Sequence, residues 1–117
     1  MEEQFKTRTK QIGLRIIRLV GALPADTTGQ VMGRQLLRCG TSVGANYRAA
    51  CRAKSTADMI NKLKIVEEEA DETLYWLELL IESNLVPEHR LSELVAEVDE
   101  ILAMTVASIK TLRTKRK

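Results

Sequence analysis

A chain of 117 residues, 44% hydrophobic and 29% charged, suits one domain that buries a core and stays in solution. No stretch approaches the roughly 18–20 apolar residues of a membrane span, and Met1-Glu2-Glu3-Gln4-Phe5-Lys6 is no apolar signal segment, so a cytoplasmic protein without membrane contact is expected. The net charge of +2 hides a division: residues 1–54 hold ten basic side chains against three acidic, residues 55–109 hold three against thirteen, and residues 110–117 add five basic ones. Halves so divided can pair within a bundle or between copies, or offer a basic surface to a polyanion.

Aromatic residues are only 3%, so the core must be aliphatic, and the long proline-free stretches favour helix over sheet. Helix one is predicted from Glu3 to Ala22, with Phe5, Ile12, Ile16, Leu19 and Leu23 on one stripe and Gly21 and Pro24 ending it. Asp26, Thr27 and Thr28 offer N-cap oxygens for helix two, which runs to about Ala53. Its stripe is Met32, Leu36, Cys39, Val43, Tyr47 and Ala50. Gly33, Gly40 and Gly44 cluster beside that stripe. Glycine is poor in helices, so three on one side mark either a close approach of another backbone or a break near Gly40. The apolar period continues unchanged through Val43 and Tyr47, which favours the close approach.

Ser55 or Thr56 caps helix three, predicted to Ser83, with Met59, Leu63, Val66, Ala70, Leu74, Leu77 and Ile81 as its stripe. Pro87 sits where a first-turn proline belongs, and helix four follows, apolar at Leu91, Leu94, Val95, Val98, Ile101, Leu102, Val106, Ile109 and Leu112. Four such helices with short connections give an all-α fold, an up-down antiparallel four-helix bundle spanning residues 1–117 as one domain. The basic end, residues 110–117, is expected to fray. Cys39 and Cys51 fall in one helix about 18 Å apart, too far for a disulfide, and read as buried thiols.

Two faces are not needed by the core. Arg34, Arg38, Arg48 and Arg52 fall within roughly 40° of one direction opposite the apolar stripe of helix two, with Gln30, Thr41 and Ala45 completing the face. Such a row can contact successive phosphates or pair with carboxylates. It can also be a plain solvated face, although no acidic residue lies between Gln30 and Lys54. On helix three, Ile65, Trp76 and Leu79 lie opposite the core stripe, with Tyr75 at the edge and Glu68 and Glu72 on the same side. These six read as an oligomer interface, or Trp76 folds sideways between helices three and four. Were the arginine strip of one copy to meet the acidic face of the next, the contact would be heterologous and could close into a ring.

Enzyme chemistry finds little support. His89 is the single histidine, and no CxxC, GxxxxGK[ST], GxGxxG or Glu-x-x-His pair occurs, so neither a metal site nor a cofactor is expected. Glu68-Glu69-x-x-Glu72 with Glu97-x-x-Glu100 resembles the magnesium-binding pattern of all-α nucleotide pyrophosphohydrolases, without the Asp usual at the last position.

The stretch Gln35–Leu79 resembles a bacterial family of four-helix bundle proteins related to those encoded in intervening sequences of large-subunit ribosomal RNA genes. The likeness rests on Gln35-Leu36-Leu37-Arg38, on Thr41 to Arg48, and on Arg52-Ala53-Lys54-Ser55 in helix two. In helix three it rests on Ala57-Asp58-Met59-Ile60, Lys62-Leu63 and Glu69 to Leu79. The resemblance implies a homopentameric ring. Relatives include accessory variability proteins of diversity-generating retroelements, which bind a reverse transcriptase and nucleic acid through basic surfaces. By position, Arg38, Arg48 and Arg52 are the family's basic residues, and Glu72, Tyr75 and Trp76 belong to its helix-three signature. Glu68 departs from the basic residue often found there.

The expected function is therefore a non-catalytic homo-oligomeric scaffold that holds RNA or DNA, as accessory to a reverse transcriptase or an RNA-processing partner. Arg34, Arg38, Arg48, Arg52, Lys110, Arg113, Lys115, Arg116 and Lys117 would make phosphate contacts of little sequence specificity. A protein-only adaptor and a magnesium-dependent nucleotide hydrolase are the alternatives.

Overall fold

A computed structural model describes residues 2–116, with only the backbone of Arg116. It contains α1 (Glu2–Gly21), α2 (Thr27–Cys51), α3 (Thr56–Glu82) and α4 (Glu88–Arg116). Connections of five, four and five residues turn each helix back along its predecessor, which gives the expected up-down antiparallel bundle. Its extents are 50 × 21 × 20 Å. Neighbours in sequence pack along their lengths, whereas α1 meets α4 more sparsely.

The helix ends follow local chemistry. Asp26 caps α2, its Oδ1 accepting from the Gly29 amide at 2.8 Å. Ser55 caps α3, its Oγ accepting from the Asp58 amide at 3.1 Å, while Asp58 accepts in return from the Lys54 amide at 3.1 Å. Past α3 the chain turns through Asn84 at φ 62°, and the amides of Leu85 and Val86 both bond the Leu80 carbonyl. Asparagine is among the few residues that enter this left-handed region at modest cost.

The core is aliphatic, with Ile12, Ile16, Leu36, Val43, Val66, Leu77, Leu80, Val98 and Ile101 fully buried. On α3 the buried arc is wider than one stripe, because α2 and α4 pack on its two flanks. Ile60, Thr73 and Leu80 are buried, and Met59, Leu74 and Ile81, expected inside, stand half-buried at the edges. Cys39 is buried, but Cys51 is only partly so, and both thiols are free.

α2 passes Gly40 unbroken. A side chain at Gly44 would come within 3.3 Å of the Thr9 backbone, the close helix approach that the glycine cluster suggested. At Gly33 and Gly40 the near neighbours are instead the side chains of Val20 and Ile16. Over the described part of 110–117, the segment expected to fray, α4 is helical to Arg116. Buried Ile109 and half-buried Leu112 pin these turns to Ala50, Ile60 and Leu63, and Thr111 and Thr114 donate to carbonyls one turn back. None of the described helices is long and apolar enough to cross a membrane.

Candidate nucleic-acid interface

Residues 34 and 48 of α2 and the C-cap residue 52 recur close to whole helical turns and point away from the core, so Arg34, Arg48 and Arg52 are exposed. Arg38 stands on the flank that meets α3. Its guanidinium binds Glu72 and lies 3.4 Å from Glu69, both on α3 of the same chain. One member of the strip is thus committed within its own bundle, and so is Glu72, which the sequence placed on a face for another copy. The Arg38 hydrogen bond, more than its field, holds the Glu72 carboxyl below the usual carboxylate range.

A groove of about 630 Å³ runs between α1 and α2. Its floor has almost no side chains, being Gly13 of α1 and Thr41, Gly44 and Ala45 of α2. Lys6 and Lys10 from α1 border it with Arg48 of α2 and Arg52 at the α2 C-cap, and Glu3 is the one carboxylate in its lining. Lys6 is shared with Glu2 and Glu3 at 3.6 and 3.5 Å, surface pairs that contribute little. Lys10, Arg34, Arg48 and Arg52 have no carboxylate within ion-pair distance among the described residues. Leu14 and Ile17 line the apolar end of the groove, 41% and 50% exposed.

The far end of α4 joins this basic region. Ile109 and Leu112 share one apolar cluster with Ala50, so exposed Lys110, Arg113 and Lys115 lie at the same end of the bundle as Arg48 and Arg52, although α2 and α4 stand diagonally across it. Arg8, six residues from the start of α1, meets α4 no later than Met104, twelve residues before Arg116. The end of α4 therefore projects roughly 9 Å past α1 at 1.5 Å per residue. The Arg116 side chain and Lys117 lie outside the described residues.

The α3 face is less apolar than the sequence implied. Trp76 and Leu79 are half-buried against the core, and the Trp76 indole donates to Glu72 at 3.2 Å on the side that meets α2. Trp76 does fold sideways, but toward Arg38 rather than between α3 and α4. Tyr75, edge-on to Trp76, stays 55% exposed and Ile65 40%, with Glu68 fully on the surface.

The two acidic pairs are not gathered into one site. Arg38 takes Glu69 and Glu72. Arg8 donates from Nε and Nη2 to Glu97 at 2.8 Å each, and lies 3.1 Å from Glu100. Each pair is held by a single guanidinium on another helix, and the hydrogen bond from Arg8 depresses the Glu97 pKa as Arg38 does that of Glu72. No group of three or more His, Cys, Asp or Glu side chains among the described residues is placed to hold a metal ion.

Sequence reasoning missed Lys10 and the groove itself, because a groove is made by two helices and neither half announces it. The available signal was Leu14 and Ile17, apolar yet off the α1 stripe. Arg8 was counted only as part of a charge total.

An antiparallel bundle of four helices, with cations bordering an open, shallow groove, places the chain among the small all-α bundle proteins. The chain is a member of the 23S rRNA-intervening sequence protein family, which it matches over residues 2–107. It is similar to a protein of unknown function from the S23 ribosomal protein family of Bacteroides thetaiotaomicron VPI-5482. The two are 38% identical, the match covers 93% of this chain and 97% of that one, and the TM-score is 0.86. No curated protein matches it.

Proposed function

We propose that this protein is a non-catalytic, homo-oligomeric scaffold that binds nucleic acid along the α1–α2 groove and the adjoining end of α4. The observation that carries the proposal is the set of cations without carboxylate partners, Lys10, Arg48 and Arg52, around a floor of small residues, Gly13, Thr41, Gly44 and Ala45. A floor without bulk lets a phosphate backbone settle between guanidiniums. Phosphate contacts of this kind are sequence-tolerant and salt-dependent. The family takes its name from intervening sequences of 23S rRNA, which favours RNA as the polyanion. Arg34 and the α4 residues Lys110, Arg113 and Lys115 extend the basic surface. Copies associate through exposed Ile65, Tyr75 and Glu68 on the α3 face, on the acidic half of the chain.

The test is light scattering after size exclusion, at low and high salt, with and without a structured RNA. An oligomer that persists in high salt and takes up RNA only in low salt is the expected result. A monomer at every salt removes the scaffold. An oligomer that ignores RNA leaves the adaptor reading. Replacing Arg34, Arg48 and Arg52 with Gln should remove RNA uptake and leave the oligomer intact; loss of the oligomer instead would make these arginines interface residues.

A further inference from the structure

A second cleft opens at the opposite end of the bundle, where α1 finishes and α4 begins, and it holds about 300 Å³. Arg15 and Arg18 of α1 and Arg90 of α4 border it. None of the three has a carboxylate within ion-pair distance among the described residues. The field of Arg15 reaches Glu97, but that carboxylate is already bonded twice by Arg8. The floor is aliphatic. Val86, Leu91 and Leu94 are buried in the core and fix it in place, while half-buried Leu19 and Leu23 leave apolar surface open to solvent.

We propose that this cleft docks a short acidic segment of a partner protein, with an aliphatic side chain on the floor and flanking carboxylates on the three arginines. The cations alone would suit any polyanion. The floor decides between them. Nucleic acid offers phosphates and flat bases but no aliphatic side group larger than the thymine methyl, and no aromatic side chain lines the cleft for a base to stack on. A peptide carrying leucine between glutamates supplies both halves, and guanidiniums bind carboxylates in bidentate fashion. The volume lies at the lower limit of ligand sites, right for one or two side chains and too small for a whole helix. A second copy of this chain fits poorly, because its own acidic–aliphatic stretches are folded into α3 and α4 with Leu77, Leu80, Leu91 and Leu94 buried. The proposal is independent of the nucleic-acid reading, which concerns the other end of the bundle.

Fluorescence anisotropy on the full chain tests it, with a labelled hexapeptide of two leucines flanked by paired glutamates as probe. Hexaglutamate and a short single-stranded RNA serve as comparators. The leucine peptide should bind about tenfold more tightly than hexaglutamate, since two leucines leave water only in the first case. Replacing Arg15, Arg18 and Arg90 with Gln should weaken it about tenfold or more, as arginine anchors do. Ala22→Glu, which sets a carboxylate at the mouth of the cleft, should do the same, with the circular dichroism unchanged. No peptide binding, or equal binding of hexaglutamate, overturns the proposal. So does RNA that displaces the peptide and loses its own affinity in the same triple variant, because the cleft would then belong to the nucleic-acid surface.

Discussion

α1 borders two clefts that carry the same kind of charge over different floors. Toward α2, Lys10, Arg48 and Arg52 stand over glycine, threonine and alanine. Toward α4, Arg15, Arg18 and Arg90 stand over leucine and valine. A guanidinium over a bare floor admits a phosphate backbone, whose shape needs room and whose surface is polar. The same group over aliphatic surface is matched only by a ligand that is itself half apolar. Counting cations cannot separate the two, since each cleft is bordered by three such cations, all but Arg90 from the basic first 54 residues.

The largest effect should come from the end that shapes the α4-side cleft. A Cβ at Gly29 would collide with the carbonyl of Pro24, which lines that cleft. Gly29→Ala should cost about 3 kcal/mol, as forced overpacking can, and should distort this end alone. Urea denaturation gives the cost, and RNA uptake under folding conditions should survive. A midpoint unchanged from the parent would mean that the α1–α2 turn yields freely.

Next in size is the groove itself. Replacing Arg34, Arg48 and Arg52 with Gln should lower RNA affinity about a hundredfold in dilute salt and flatten the slope of log affinity against log salt by about 2–3. The Arg15, Arg18 and Arg90 set should change neither quantity. Equal losses from both sets would erase the distinction between the clefts.

A smaller effect is expected at the seam between them and the acidic helices. Arg8→Met leaves Glu97 and Glu100 without their partner and should cost about 1–2 kcal/mol for a bidentate, partly buried pair. The pairing also has a pH signature. Glu72 and Glu97 are held below their ordinary value of 4.5, so their stabilisation is complete above it and is lost as pH falls through the depressed values. Melting temperatures between pH 6 and pH 3 should therefore fall less steeply in Arg8→Met than in the parent. Parallel curves would show that the Glu97 pair does not couple to folding. The smallest change should be Ala45→Leu, an exposed floor position, which should weaken RNA binding about twofold to threefold by bulk alone. No change would mean that phosphates do not reach the floor.

What could be read from the chain was local. The 3.6-residue period placed four helices, and Asp26 and Ser55 announced two of their starts, because capping involves only residues three apart. The cluster of Gly33, Gly40 and Gly44 pointed to a close backbone approach, which the structure shows at Gly44 against Thr9, a partner the sequence could not name. The commitment of Arg38 was not legible. Its direction on the helical wheel lies within a few tens of degrees of Arg34 and Arg52, and only the packing of α3 decides which guanidinium finds a carboxylate. Trp76 was misplaced for the same reason, since an indole on the flank of a helix is covered or exposed by its neighbour. Both clefts were invisible because each is assembled from two helices.

The arginines that face inward to other helices have a consequence for the choice among folds. Leucine, isoleucine and valine faces fit one another almost as well after a slide of one helical turn, about 5.4 Å. Arg8 and Arg38 penalise that slide. Arg8 holds Glu97 and Glu100 at 2.8 and 3.1 Å, and Arg38 grips Glu69 and Glu72, so one turn of displacement leaves each guanidinium only one of its two carboxylates. The two guanidiniums thus act as alignment pins, α1 to α4 and α2 to α3. They add modestly to the depth of the native minimum and more to its uniqueness. A variant with both replaced by methionine should remain helical yet show doubled amide resonances from more than one alignment, whereas a single set of resonances would assign the alignment to the aliphatic core alone.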